Sequence, residues 1–183
     1  MFQIECRARD RNHLLQKQMG RIPKRWDIYT NFGDIIENLF LPFKTPLSQD
    51  LFEESTYNEP FDPSLVLERA PKRVINLSGK SKRYDKQVFK CAGIEYLALE
   101  IDGGGKIPPE NKVQEFINFV GRPENGELCG VHCAHGVNRT GYFVCRYLID
   151  VIGMSAGDAI ALFQEKRGHK IEKDELINAL HAR

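Results

Sequence analysis

The segment His132-Cys-Ala-His-Gly-Val-Asn-Arg-Thr-Gly141 places a nucleophile, an arginine and a run of small residues at close spacing. Cys133 is a nucleophile once ionised, and five residues separate it from Arg139. A planar guanidinium binds two phosphate oxygens at once, a geometry that lysine does not reproduce. The loop lies between an apolar run, Leu128 to Val131, and an amphipathic stretch beginning near residue 140. A loop wrapped at a helix N-terminus turns successive backbone N–H groups toward an anion. Ala134, His135, Gly136, Val137, Asn138 and Arg139 are the expected phosphate-binding donors. Gly136 allows a positive φ, and Gly141 lets the following helix pack close. The same dipoles lower a thiol pKa below its usual value of about 8.5. Thr140 is placed to hydrogen-bond the thiolate, and His132 to order the loop from behind. These groups suit a two-step reaction without metal or other cofactor. The thiolate attacks phosphorus in line, and water then hydrolyses the phosphocysteine. The N–H groups and Arg139 stabilise the equatorial oxygens throughout.

Two other readings of the loop stay open at this stage. His132, Cys133 and His135 are metal-ligand types, yet no second Cys/His pair lies at zinc spacing and a metal site does not explain the glycines. The loop as an inactive phosphate-binding relic is the other, and the presence of Cys133, Arg139 and Thr140 together speaks against it. The remaining cysteines, Cys6, Cys91, Cys129 and Cys145, do not form a disulfide framework and read as thiols in a reducing compartment.

The elements that must hold this loop are legible as patterns. Val74-Ile75-Asn76-Leu77 and Ile94 to Leu99 read as short apolar strands, and Leu128 to Val131 as a buried strand entering the loop. Asp62-Pro63 reads as a cap and first residue of a helix running through Leu65, Val66 and Arg69. Val113, Phe116, Ile117 and Val120 fall at helical spacing before Gly121 and Pro123. Residues 140–151 read as the next helix, Ser155 as the cap of another, and Glu175 to Leu180 as a last short one. Strands alternating with helices predict an α/β fold with a mostly parallel central sheet flanked by helices on both faces.

With 183 residues, 42% hydrophobic and 28% charged, the chain suits one folded domain rather than disorder. Residues 1–20 are polar and basic and read as an N-terminal arm, with the phosphatase-type domain over 21–183. No apolar run reaches the roughly 20 residues of a membrane helix, and the N-terminus has no signal-like stretch, so an intracellular protein is expected. Net charge is +1 but uneven. Residues 71–90 carry Lys72, Arg73, Lys80, Lys82, Arg83, Lys86 and Lys90 against Asp85, whereas 48–68 carries acids and no base. That permits a basic face toward a polyanion.

The fuller string His-Cys-x-His-Gly-x-Asn-Arg-Thr-Gly-Tyr resembles the RNA 5′-phosphatase branch of the cysteine (protein-tyrosine and dual-specificity) phosphatase superfamily. This is the branch of the baculovirus RNA phosphatase, the metazoan RNA/RNP-complex-interacting dual-specificity phosphatase and, more distantly, the triphosphatase domain of mRNA capping enzymes. The likeness runs from about Arg21 to about Leu176 through Pro23-Lys-Arg-Trp-Asp-Ile-Tyr29, Pro42-Phe-Lys-Thr-Pro-Leu47, Ile75-Asn-Leu-Ser78, Cys145-Arg-Tyr-Leu-Ile-Asp150 and Arg167-Gly-His169.

The resemblance implies a dual-specificity-type fold and removal of γ and β phosphates from triphosphate- or diphosphate-ended RNA. It also implies a nuclear address, ribonucleoprotein or small-RNA pathway partners, and a monomer. By position it offers Lys82 and Arg167 to the outer phosphates or first nucleotide. Ala134 replaces the usual threonine but keeps its N–H. Gly79-Lys80 replaces an Asn-Thr pair beside Lys82. In Glu100 to Pro109, Asp102 is the only aspartate available as a weak general acid, and no Trp-Pro-Asp string occurs. A tyrosine leaving group of pKa about 10 needs protonation, whereas a phosphate of pKa about 6 does not, so this favours an anhydride substrate. A dual-specificity protein phosphatase and a noncatalytic RNA-binding adaptor are the competing functions.

Overall fold

A computed structural model describes residues 21–53, 55–79, 82–121 and 127–183. The elements run β1 (Phe40–Phe43), α1 (Gln49–Glu53), α2 (Pro63–Leu67), β2 (Arg73–Asn76), α3 (Gln87–Cys91), β3 (Glu95–Ala98), α4 (Glu110–Val120), β4 (Cys129–His132), α5 (Asn138–Tyr147), α6 (Ala156–Arg167) and α7 (Asp174–His181). The arm expected over 1–20 lies outside the described residues. Among the described residues no helix is long and apolar enough to cross a membrane.

The four strands form one parallel sheet in the order β1-β4-β2-β3. Alternating side chains feed two cores, as the pleat requires. Ile75 and Val131 enter a core completed by α4 to α7 through residues such as Phe116, Phe143, Phe163 and Leu180. Phe43 and Val74 enter the other, completed by Trp26, Leu51, Val66 and Phe89. The sheet is therefore covered on both faces, as a parallel sheet built from crossovers must be.

Local signals place the helices. The Asp62 carboxylate accepts from Ser64 N at 2.6 Å, with Pro63 at the first helical position of α2. The Ser155 hydroxyl accepts from Asp158 N at 3.1 Å and starts α6. The expected strands are all present, each within about a residue of its predicted bounds; β4 extends to His132, which therefore belongs to the sheet. β1 was not readable as a strand: it is short and contains Pro42, and a proline is tolerated because β1 is an edge. The helix expected over 140–151 starts earlier, at Asn138, and its end widens into a π turn, Leu148–Ile152.

The register fixes where a site can form. Phe43 and Asn76 both lie level with His132, so the chain leaves β1, β4 and β2 side by side at the carboxyl edge. In open parallel sheets that edge is where ligands bind.

Candidate active site

Residues 133–137 join the centre strand β4 directly to the N-terminus of α5. Each carbonyl of this loop is tied to something outside its concave side. Cys133 O accepts from His132 Nδ1 (3.1 Å), and Ala134 O from Thr45 N (3.1 Å). His135 O and Gly136 O accept from Nη2 and Nε of Arg167, each at 2.9 Å. Val137 O accepts from Gly141 N at 2.7 Å as the first bond of α5. In a planar trans peptide the C=O and the following N–H point opposite ways. Tying the carbonyls back therefore turns the N–H groups of residues 134–138 forward, and a ring of donors results.

Two glycines make the loop possible. Gly136 has φ +67°, and a Cβ there would collide with the Phe43 carbonyl. A Cβ at Gly141 would sit 2.7 Å from the Phe163 ring and 2.8 Å from Ile171, so any larger residue would push α5 off α6.

Cys133 is 3% exposed. Burial opposes its ionisation. The Arg139 charge, the Thr140 hydroxyl and N–H, and the His135 N–H outweigh that and bring the thiol down to about 7. Burial, the leading cause at Cys129 and the only one at Cys145, pushes both up to about 12, where they are inert thiols. The Thr140 hydroxyl is buried and makes no hydrogen bond to oxygen or nitrogen, which leaves it to serve the sulfur of Cys133. Arg139 Nη1 donates to Leu77 O (3.0 Å) and Ile101 O (2.8 Å), at the exits of β2 and β3. Those bonds fix the plane of the guanidinium, and its other donors remain for an anion.

His132 lies fully buried behind the loop, and burial drives its pKa down to about 3, so the ring is neutral. Both of its nitrogens are engaged, Nδ1 by Cys133 O and Nε2 by the Tyr84 hydroxyl at 2.6 Å. Among the described residues no group of three or more His, Cys, Asp or Glu is placed to hold a metal ion, and the zinc reading of His132, Cys133 and His135 is set aside.

A cleft of about 240 Å³ opens over Cys133 and Arg139. Gly103, Gly104 and Gly105 form one wall, and Lys106 and Lys173 line it as well. Glu172 is the one carboxylate lining the cleft among the described residues. The Tyr29 hydroxyl donates to it at 2.7 Å and Asn138 Nδ2 at 3.3 Å. The Tyr29 bond leads in lowering its pKa, so Glu172 is an anion and not a proton donor near neutral pH. Asp102 is 73% exposed at its side chain and pairs with Lys106 at 3.0 Å.

The outer cations differ from those the sequence offers. Lys82 is exposed and does not line the cleft. Its neighbour Arg83 does not line the cleft either, and its Nε donates to Arg21 O at 2.8 Å, but it is the less exposed of the two. Burial and the Arg139 charge lower its pKa, and a Cys133 thiolate would raise it, so the three groups feel one another. The charge cluster over 71–90 pointed at this segment without selecting the residue. Arg167 is corrected more fully. It is 1% exposed, and besides the two loop carbonyls it donates to the hydroxyl and the carbonyl of Thr30. It braces the back of the loop and does not line the cleft. Glu172 and Lys173, on the segment entering α7, carry no sequence signal of a role here.

The family profile described as Dual specificity phosphatase, catalytic domain, matches residues 72–182. The RNA/RNP complex-1-interacting phosphatase homolog of Caenorhabditis elegans is 41% identical over 177 residues, covering 88% of this chain and 75% of that protein. The Tyrosine-protein phosphatase of Autographa californica nuclear polyhedrosis virus is 39% identical over 165 residues, covering 86% of this chain and 98% of its own length. Among solved structures, PTPMT1 in complex with PI(5)P aligns with a TM-score of 0.65 at 21% identity, over 84% of this chain and 94% of that one. At that identity the likeness concerns the fold alone.

Proposed function

Because this chain belongs to the dual specificity phosphatase catalytic-domain family, we propose that it is a metal-independent RNA 5′-tri- and diphosphatase acting through Cys133. The Cys133 thiolate attacks the terminal phosphorus in line. The bond from that phosphorus to the bridging oxygen breaks, and the shortened RNA leaves with the electron pair. Water then attacks the phosphocysteine, releases phosphate and restores the thiolate, its proton passing to solvent. The N–H groups of 134–139 and the Arg139 fork stabilise the equatorial oxygens, and Thr140 steadies the sulfur as it departs.

One observation carries the substrate choice: the cleft offers cations and N–H donors, but its lining carboxylate is held ionised. A phenolate of pKa about 10 leaves poorly from such a site, whereas the shortened RNA, departing through a phosphate oxygen of pKa about 6, leaves without a proton. Lys106 and Lys173 line the cleft and supply positive charge for a polyphosphate, with Arg83 within electrostatic reach of Arg139 and Cys133. The worm relative's name joins it to an RNA/RNP complex, in keeping with RNA as substrate. The viral relative's name keeps a dual-specificity protein phosphatase as the second reading.

The test offers γ-labelled triphosphate RNA in EDTA alongside a phosphotyrosine peptide. Release of label in EDTA, abolished by Cys133→Ser, is expected. Dependence on added magnesium, or survival of activity in the Ser variant, would overturn the mechanism. A far better rate on the peptide would overturn the substrate.

A further inference from the structure

The polar side chains that line the cleft over Cys133 are largely committed to one another, and this decides which part of a ligand can be read there. Asn138 is used at both ends: its Oδ1 accepts from Glu172 N at 2.7 Å, and its Nδ2 donates to Glu172 Oε2 at 3.3 Å. No whole amide edge is left for a base. The His135 Nε2 donates to Lys24 O at 2.8 Å, and the ring stacks on Tyr29 with centroids 4.6 Å apart. That leaves His135 one acceptor, Nδ1, against the several polar groups of a nucleoside. Glu172 also accepts from Tyr29 and is ionised. Leu176 is buried. The wall from Gly103 to Gly105 has no side chain, and a Cβ at Gly103 or Gly104 would meet nothing within 4 Å. Among the described residues lining the cleft there is no hydroxyl and no aromatic ring other than His135. The groups that remain are of one kind: loop N–H donors, Arg139, Lys106 and Lys173. Three cations stand against one carboxylate, and all of them recognise phosphate oxygen.

We propose a further activity for this site: Cys133 removes the terminal phosphate of linear inorganic polyphosphate, with tripolyphosphate as a simple substrate. The proposal rests on the Cys133 mechanism above and not on RNA as the substrate. The thiolate attacks the end phosphorus, the bond from that phosphorus to the bridging oxygen breaks, and pyrophosphate leaves with the electron pair. Water then attacks the phosphocysteine, the phosphorus–sulfur bond breaks, and phosphate and the thiolate are released as the water's proton passes to solvent. The departing oxygen again has a pKa of about 6, so the leaving group needs no proton donor. A site built to hydrogen-bond a substrate group rejects an analogue lacking that group by about 10⁴–10⁵-fold, because its own groups are then stranded. Removing the nucleoside strands no donor in this lining, so a bare phosphate chain is not rejected. The RNA body adds attraction outside the cleft, which lowers KM without raising kcat. An internal phosphorus carries two bridging oxygens and offers the cradle only two free ones, so cleavage runs from the chain end.

The experiment incubates the full chain with inorganic tripolyphosphate in EDTA and separates the products by ion chromatography. Triphosphate RNA and a phosphotyrosine peptide are assayed beside it. Pyrophosphate and phosphate are expected in equal amounts at early times, and neither with Cys133→Ser. Hydrolysis of the phosphocysteine is common to both anhydride substrates, so kcat for tripolyphosphate should lie within about tenfold of that for RNA, with the higher KM. Because the two occupy one site, tripolyphosphate should inhibit RNA hydrolysis competitively, with a Ki equal to its own KM. Cleavage of RNA without cleavage of tripolyphosphate would overturn the proposal, and so would tripolyphosphate hydrolysis that survives Cys133→Ser or requires added magnesium. Cleavage of tripolyphosphate without cleavage of RNA would leave the proposal standing and overturn RNA as the substrate. Cleavage of the peptide alone, or of none of the three, would overturn both.

Discussion

Two buried arginines, Arg146 and Arg167, each sit in the last turn of a helix and are satisfied in opposite ways. Each is 1% exposed. Arg146 meets carboxylates: Glu110 at 2.8 and 3.0 Å, and Asp150 at 2.8 Å through Nε. Burial opposes its protonation, but Glu110, Tyr142 and Asp150 more than reverse this, and its pKa stands above the usual value. Arg167 meets carbonyls and one hydroxyl, and no carboxylate among its hydrogen-bond partners. Burial lowers its pKa to about 10, still far above neutral, so the charge persists without a counterion. Removing a cation from water without an anion is costly. The Arg146 cluster avoids that cost, and the loop end accepts it. A positive charge held only by dipoles still acts on Cys133, whereas one cancelled by a carboxylate would not.

The largest effects should come from cutting into the un-neutralised end. Arg139→Met is expected to lower kcat by about 10³-fold, the scale of lost transition-state charge stabilisation. Its thermal midpoint should move little, because Arg139 is itself only half-buried and lines the open cleft. Steady-state kinetics beside a thermal melt checks both halves.

Next comes a paired experiment on the two arginines. Arg146→Met leaves two carboxylates facing an apolar chain and should cost about 3–5 kcal/mol of stability, measured by urea unfolding. The folded fraction should retain kcat/KM within about threefold, because nothing in that cluster touches the cleft. Arg167→Met should also destabilise, since it strips the donor from His135 O and Gly136 O. It should in addition lower kcat about 10²-fold and raise the pH midpoint of Cys133. Equal loss of activity in both variants would break the distinction between neutralised and exposed charge.

This contrast was only partly legible in the sequence. The loop from His132 to Gly141 could be read because its chemistry is local: nucleophile, glycines and arginine are consecutive, and the dipoles follow from a strand running into a helix. β2, β3 and β4 could be read as apolar runs between breakers. The partial burial of Arg83 beside an exposed Lys82 could not, because both lie in an irregular segment between β2 and α3 that has no periodicity to read. Nor could the burial of Arg167. A basic residue in a last helical turn ordinarily favours the surface and the helix dipole, and the approach of the loop and of Thr30 over α6 covers it. The parallel sheet also aligns Asn76 with His132, a long-range register no local pattern reports.

A smaller effect sharpens the neutralised end. The Arg146 contact leads in pulling the Glu110 pKa down to about 2 from an ordinary 4.5. A depressed carboxylate stabilises the fold above its unfolded pKa, and that contribution is lost as pH falls through the folded value. Glu110→Gln should therefore cost stability at neutral pH and flatten the decline between about pH 5 and 2. With the Glu110 side chain 52% exposed, the neutral-pH cost should be about 1 kcal/mol. Urea midpoints across that pH range measure it.

The smallest expected effect is at Asp102, and it bears most directly on whether the cleft works without a proton donor. Asp102 lies one residue from Ile101, whose carbonyl anchors Arg139, so it is near enough to the chemistry to be considered. Its carboxylate, however, is turned to Lys106 in solvent at 3.0 Å. If a phosphate group departs, its own pKa of about 6 makes a donor unnecessary. Asp102→Asn should then change kcat on triphosphate RNA by less than about threefold and leave the basic limb of the pH profile in place, whereas a true general acid contributes about 10²–10⁴-fold. A loss in that range, with the basic limb gone, would mean that a carboxylate does serve the loop end after all. The same variant assayed on a phosphotyrosine peptide provides the internal control. There the leaving phenolate does need a proton, so any help Asp102 can lend should appear on the peptide before it appears on RNA.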